Sequence, residues 1–276
     1  MKRRIVSVLT ALALCLSLCP VAAGVSARDE NTTAEDVGPE ETRRENPRNT
    51  LIGSVYGTLE QNRGEISSVK QGGTVKLNEK LTSVDANRTG YILSNAGTVG
   101  TNKGEIHGNT ATGTVESNYG TVVTNYGSVT ANEGLVSSNF GTVGSNIGSG
   151  IVTNVYNGTV DFNSGVVYNQ SGGTVTNNQG GTVWWQFTVT GEHAVLSEID
   201  SVAYIREGCT VAPEEGYYFS APPTAENAEV ALEDGVYTIR KITAAPVTLT
   251  VTTALNADAT PDGSEANPWP CGKDGN

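Results

Sequence analysis

The stretch Asn118 to Gly148, NYGTVVTNYGSVTANEGLVSSNFGTVGSNIG, repeats one phrase every seven residues: an Asn, a connector, a Gly, a hydroxyl or similar residue and a Val. Valines fall at Val115, Val122, Val129, Val136 and Val143. A seven-residue period can mark a coiled coil, but each unit here spends positions on Gly, Val, Thr and Asn, which disfavour helix. The phrase therefore reads as a short strand followed by a turn.

Carried outward, the register supplies one apolar anchor per unit at Leu59, Ile66, Val75, Val84, Ile92, Val99, Ile106, then the valines above, then Val152, Val160, Val167, Val175 and Val183, about seventeen units. Gly stands two residues before every anchor except Val84, where Thr82 replaces it, and Asn stands three residues after most of them. The connector alone varies, one residue between Asn102 and Gly104 but three between Asn109 and Gly113. Variation confined to one place marks a turn between fixed elements. Gly and Asn tolerate positive φ, so both are expected at tight corners.

Strand periodicity then assigns faces. With the anchor inward, the position two residues later also points inward, and it holds small residues such as Ser117, Thr124, Ala131 and Ser138. A narrow lumen lined by one Val and one small residue per strand is the expectation. Such strands bury themselves only when successive coils stack at the ladder spacing, as in a solenoid. Two or three units could close one coil; one corner per strand favours three and a triangular section. The fold class is thus all-β, a β-solenoid over residues 51–185.

The array ends in Trp184-Trp185-Gln186-Phe187, bulky where earlier units are small, which reads as a plug or a joint, with a sugar-stacking platform as the sharper alternative. Residues 186–253 alternate β-branched, aromatic and polar residues between Gly and Pro clusters, the pattern of a small antiparallel sandwich. Residues 28–50 are polar and charged and read as a flexible leader. Residues 1–27 read as a cleaved secretory signal, with Lys2, Arg3 and Arg4 before an apolar run too short to span a bilayer comfortably. Residues 254–276 read as a linker or the start of a truncated further module. The expected address is extracellular, secreted or at the cell surface, with no membrane span after cleavage.

A net charge of −12 argues against a nucleic-acid partner, which needs a basic face. Outward positions hold Glu60, Glu65, Lys76, Asp85, Glu105, His107, Glu116 and Asp161, scattered among Thr, Ser and Gly. Glu105 and His107, flanking Ile106, come nearest to an acid and base pair, but solvated surface is the plainer reading and no catalytic residue is assigned. No recurring Asp near the Gly turns suggests calcium, and His107 and His193 lack ligand partners at useful spacing. No cofactor or metal is expected. Thr before many anchors reflects strand propensity alone; the second Thr that an ice-binding face needs is mostly missing. Cys209 and Cys271 could pair in an exported protein or stay apart. Tyr119, Tyr126 and Phe140 occupy connectors and, with Trp184 and Trp185, are the candidate ligand contacts.

The Asn-bearing array resembles the adhesin-like β-solenoid repeats of bacterial surface proteins, and Gly216-Tyr217 with Gly235-Val236-Tyr237-Thr238-Ile239 resembles small Ig-like modules of such proteins, of the kind found in gut Firmicutes. That resemblance implies a noncatalytic stalk or adhesive surface, whose partner would be a host or microbial glycan or a matrix protein. A carbohydrate-binding accessory region of a larger extracellular polysaccharide-acting enzyme is the alternative.

Overall fold

The Val and Asn phrase does form short strands, almost all of them five residues long, and they close two to a coil. A computed structural model of the chain describes residues 35–47, 50–79, 90–200 and 203–256, which contain strands and turns and no helix. Alternate units go to opposite sheets: Thr121–Asn125 pairs with Glu105–Asn109 and Leu135–Asn139, whereas Thr114–Asn118 pairs with Thr98–Asn102 and Ser128–Asn132. All these pairings are parallel and in register, anchor on anchor and Asn on Asn. About nine such turns form the solenoid. The expected three-strand triangular coil is thereby corrected.

The Asn side chain explains how one connector residue can reverse the chain. Asn102 Oδ1 accepts a hydrogen bond from Gly104 N at 3.2 Å, closing the bend over Lys103, and the same contact recurs from Gly97 N to Asn95 and from Gly165 N to Asn163. Such Asn bends are local and strong. A chain reversed at every unit gives two facing sheets, not three walls.

The lumen also differs from expectation. Anchors from Ile52 to Val167 form one continuous core with no exposure, and Asn46 through Asn169 in the ladder positions are buried beside them. The small residues Ser117, Thr124 and Ala131 are only half-buried. Val and Asn stand three apart, an odd spacing that a flat pleated strand would place on opposite faces. Both point inward because the chain leaves the pleat as it enters the bend. Each buried Asn then needs partners, and the ladder supplies them: Asn118 Nδ2 donates to Asn132 Oδ1 at 2.7 Å and Asn132 Nδ2 to Asn146 Oδ1 at 2.8 Å. In the facing sheet Asn95, Asn109, Asn125, Asn139, Asn154 and Asn169 are linked in the same way. Asn154 and Asn169 follow their anchors by two residues, not three; a register shift of one residue brings them onto the ladder.

Glycine before the anchor has a different cause from the one expected. Apart from Gly90, which precedes Ile92, these positions do not have positive φ; that conformation occurs in the longer turns, as at Gly72, Gly148 and Gly172. At Gly134 a Cβ would lie 2.1 Å from Gly120 O of the preceding coil, where Leu135 N donates to that same oxygen. The coils approach too closely for any side chain. Gly134→Ala is expected to destabilise by about 1–3 kcal/mol, while Gly108→Ala, whose Cβ would meet its nearest atom, Leu93 O, at 3.6 Å, is expected to be neutral. Urea midpoints of the two variants check this.

The array begins before residue 51. Glu35–Val37 and Thr42–Asn46, inside the expected leader, pair in parallel with Leu51–Val55 and Thr58–Asn62. In this first part Val37, Val55 and Val69 fill the ladder positions that Asn95 and its successors fill later. The signal segment, the Val84 unit with Asp85, and residues 257–276 with Cys271 lie outside the described residues. Strands flanking the Val84 unit pair directly, Ile66 with Ile92 and Val75 with Val99.

At the far end the strand Thr182–Thr190 crosses the expected boundary at 185/186. Its first half pairs with Val166–Asn169, and its second half pairs in parallel with Val247–Leu255. Tyr217–Glu226 completes that side, antiparallel to Val247–Leu255, and a four-stranded antiparallel sheet, Ala194–Leu196, Thr210–Pro213, Val236–Ile242 and Ala228–Glu233, shares a core with it. The expected small antiparallel β domain is a two-sheet region, antiparallel but for the pairing of Thr182–Thr190 with Val247–Leu255, and continuous with the solenoid.

Candidate functional site

Two strands per coil give the solenoid two edges, and they divide the candidate aromatics. Tyr126 and Phe140 follow Asn125 and Asn139 of one sheet, whereas Tyr119 follows Asn118 of the other and lies on the opposite edge. Tyr156, not singled out in the sequence, joins the first pair through the longer connector after Asn154. The rings of Tyr126 and Phe140 stack with centroids 4.9 Å apart, and Phe140 stacks on Tyr156 at 6.4 Å, both at 15°. Tyr126 is 56% and Tyr156 67% exposed. Stacking turns most ring faces toward each other and presents edges and hydroxyls outward. Sugar stacking, which needs a free ring face, is left to the two ends of the row.

Trp184 and Trp185 do not form a platform. Trp185 takes the ladder position after Asn169 and packs into the C-terminal core with Phe187, Ile205 and Leu249. Trp184 pairs with Tyr168, and the Arg206 guanidinium lies 5.4 Å from its ring centroid, a cation and π contact. Around them Tyr168 donates to Asp200 Oδ2 at 2.5 Å and Gln170 Nε2 to the Tyr204 hydroxyl at 2.8 Å. The carboxylate acceptor pushes the Tyr168 hydroxyl up to about 12. The aromatic pair is the joint of solenoid and C-terminal region, as bulky residues at the end of a small-residue array suggested.

Of the charged outward residues, Glu60 and Lys76 form a surface pair. Lys76 Nζ lies 2.8 Å from Glu60, and Arg63 bridges Glu45 at 3.0 Å and Glu79 at 3.1 Å. Arg63 holds the Glu79 carboxyl below the usual range. Exposed pairs like these contribute little. Glu105 and His107 are not hydrogen-bonded to each other; the His107 ring lies tilted beside Tyr91, centroids 6.5 Å apart. Among the described residues no group of three His, Cys, Asp or Glu could hold a metal ion.

Sequence spacing missed one cluster. His193, at φ +59°, stacks on Tyr217 at 3.8 Å, and its Nδ1 lies 3.0 Å from Glu214 Oε2. Glu214 and Tyr217 are about twenty residues away in the chain and arrive through antiparallel pairing. Cys209 is buried with its thiol donating to Ser197 O at 2.9 Å, and burial pushes it up to about 11.

The pairing also sorts hydroxyls. Thr58, Thr74, Thr98, Thr114, Ser128, Thr142, Thr159 and Thr174 fall in one sheet as a single row. The facing sheet has Glu65, Tyr91, Glu105, Thr121 and Leu135 at that position. No second Thr row accompanies the first, since Glu116, Thr130, Gly144 and Asp161 stand two residues on. Among the described residues no helix is long and apolar enough to cross a membrane. Compared with protein-family models, curated proteins and solved structures, the chain finds no match in any of the three.

Proposed function

We propose that this chain is an exported, noncatalytic structural protein whose solenoid acts as a spacer, of the adhesin-like kind its repeats resemble. One observation carries the reading: the interior of the described coils is filled by stacked aliphatic and Asn side chains, so each coil serves to carry the next. About nine coils at roughly 4.8 Å each extend about 43 Å along the ladder. The ion pairs along the solenoid, such as Lys76 with Glu60 and Arg63 with Glu45 and Glu79, lie on its surface, where they favour solubility over chemistry. The Ig-like reading of the C-terminal region belongs to the same proposal.

A second reading, an adhesive edge for a glycan or matrix protein, is favoured by the stacked row of Tyr126, Phe140 and Tyr156 on consecutive coils, whose two tyrosines are exposed. A screen of the full chain against glycans and matrix proteins, with a variant carrying Ala at those three positions, separates them. The spacer reading expects no specific binding by the folded protein. Specific binding that the triple variant loses would replace it with the adhesive one.

A further inference from the structure

The two ends of the Asn- and Thr-bearing sheet are built differently. Its first strand, Thr42-Arg43-Arg44-Glu45-Asn46, carries three charges, with Arg43 at the anchor position opposite Leu59. Charges at an edge discourage a further strand. Its last strand, Thr174-Val175-Thr176-Asn177-Asn178, carries none, and no described strand pairs with its outer edge. The neighbouring sheet does continue there, through Thr182–Trp185, so the last coil is built on one side only.

Above that edge lies a cleft of about 310 Å³ lined by Val175, Asn178, Val183, Trp185, Arg206 and Glu207 among others. It contains what a further rung would meet. Val175 is the first anchor that is incompletely buried, and Asn178 is exposed, its Nδ2 turned to Gly181 O at 2.9 Å instead of to a next Asn. Every Asn-to-Asn link in this sheet runs from the earlier Nδ2 to the later Oδ1, so the rung that fits next must offer an Asn oxygen.

The chain carries one spare unit of that frame. Ser83-Val84-Asp85-Ala86-Asn87 matches hydroxyl, anchor, variable, small and Asn, position for position, with strands such as Ser128-Val129-Thr130-Ala131-Asn132. The described ladders run past it, Ile66 pairing with Ile92 and Val75 with Val99. We propose that Ser83–Asn87 of a second copy of this chain lies along Thr174–Asn178, adding one parallel strand in the cleft, with Val84 on Val175 and the Asn87 oxygen accepting from Asn178. The donor cannot be the same copy. Ser83 is five residues from Asn78 and reaches at most about 17 Å, whereas Asn178 lies six rungs further along, about 29 Å. Strand addition of this kind draws affinity from main-chain hydrogen bonds and specificity from the alternate side chains.

Sedimentation of the full chain tests this with two variants, Val84→Asp in the donor and Val175→Lys at the half-exposed receiving edge, each checked for native circular dichroism. The wild type is expected to self-associate with rising concentration and each variant alone to be monomeric or nearly so. A mixture of the two is expected to form a complex, since the Val84→Asp copy keeps its edge and the Val175→Lys copy keeps its donor. A wild type that stays monomeric overturns the proposal. Association that survives Val84→Asp, or a mixture that gives no complex, overturns the assignment of Ser83–Asn87 as the donor.

Discussion

Val129→Asp is expected to abolish cooperative folding of the array, while Thr130→Asp, one residue on, leaves it intact. Val129 has no exposed surface and lies between Val115 and Val143 in its sheet. Among the described residues, the side chains buried in the array around Val129 are aliphatic or Asn, with no cation among them. A carboxylate there is both desolvated and unpaired, which costs about 3–5 kcal/mol, and in a stacked array each coil relies on its neighbours. Thr130 is exposed. Its replacement sits beside Glu116 on the adjacent rung, and like charges across a ladder cost only a few tenths of a kcal/mol. Far-UV circular dichroism through a urea titration reads both; equal tolerance of the two would sink the inward and outward assignment.

Asn132→Asp is the second large effect. Asn132 accepts from Asn118 at 2.7 Å and donates to Asn146 Oδ1 at 2.8 Å and to Gly134 O at 3.1 Å. The carboxylate keeps the first bond but sets an oxygen against two acceptors in a site without solvent, at a cost of about 3 kcal/mol or more. Asn178→Asp, at the exposed end, gives up only the bond to Gly181 O and is expected to cost under about 1 kcal/mol. Acid separates polarity from shape. Burial raises the folded-state pKa of the new carboxyl above its unfolded value, so the variant regains stability below about pH 4, where protonation restores a donor, and loses it again as pH rises through the folded value. A penalty that does not shrink in acid would mean that the direction of the ladder bonds is not what Asn132 contributes.

The repeat was legible because it is nearly one-dimensional. Seventeen anchors in register named the buried aliphatics, and outside the Val84 unit, which lies beyond the described residues, all but the last two are buried or lie in the continuous core. The bulky Trp184 and Trp185 lie where the strand Thr182–Thr190 passes from the solenoid into the C-terminal region. The leader was misjudged because Thr42–Asn46 has no apolar anchor: it is read as polar coil alone, yet it ends in Asn46, which enters the ladder with Asn62 at 2.7 Å. Composition cannot see a strand whose partners are elsewhere.

The candidate contacts show the same limit. Tyr119, Tyr126 and Phe140 occupy equivalent connectors in the sequence, but a two-strand coil sends alternate connectors to opposite edges, so Tyr119 leaves the row and Tyr156 enters it. His193 and Glu214 had no common spacing, since antiparallel pairing in the C-terminal region brings them together.

By itself the sequence determined that short strands stack in register, which residue of each unit is the apolar anchor, and where the array changes character. These depend on period and residue type, which are local properties. Only the tertiary structure decided that two strands close a coil, that Asn and not the small residue completes the lumen, and that Gly is demanded by the approach of the neighbouring coil. Those outcomes turn on how sharply each connector bends and on which carbonyl of another coil it meets, and that geometry exists only once the coils are stacked.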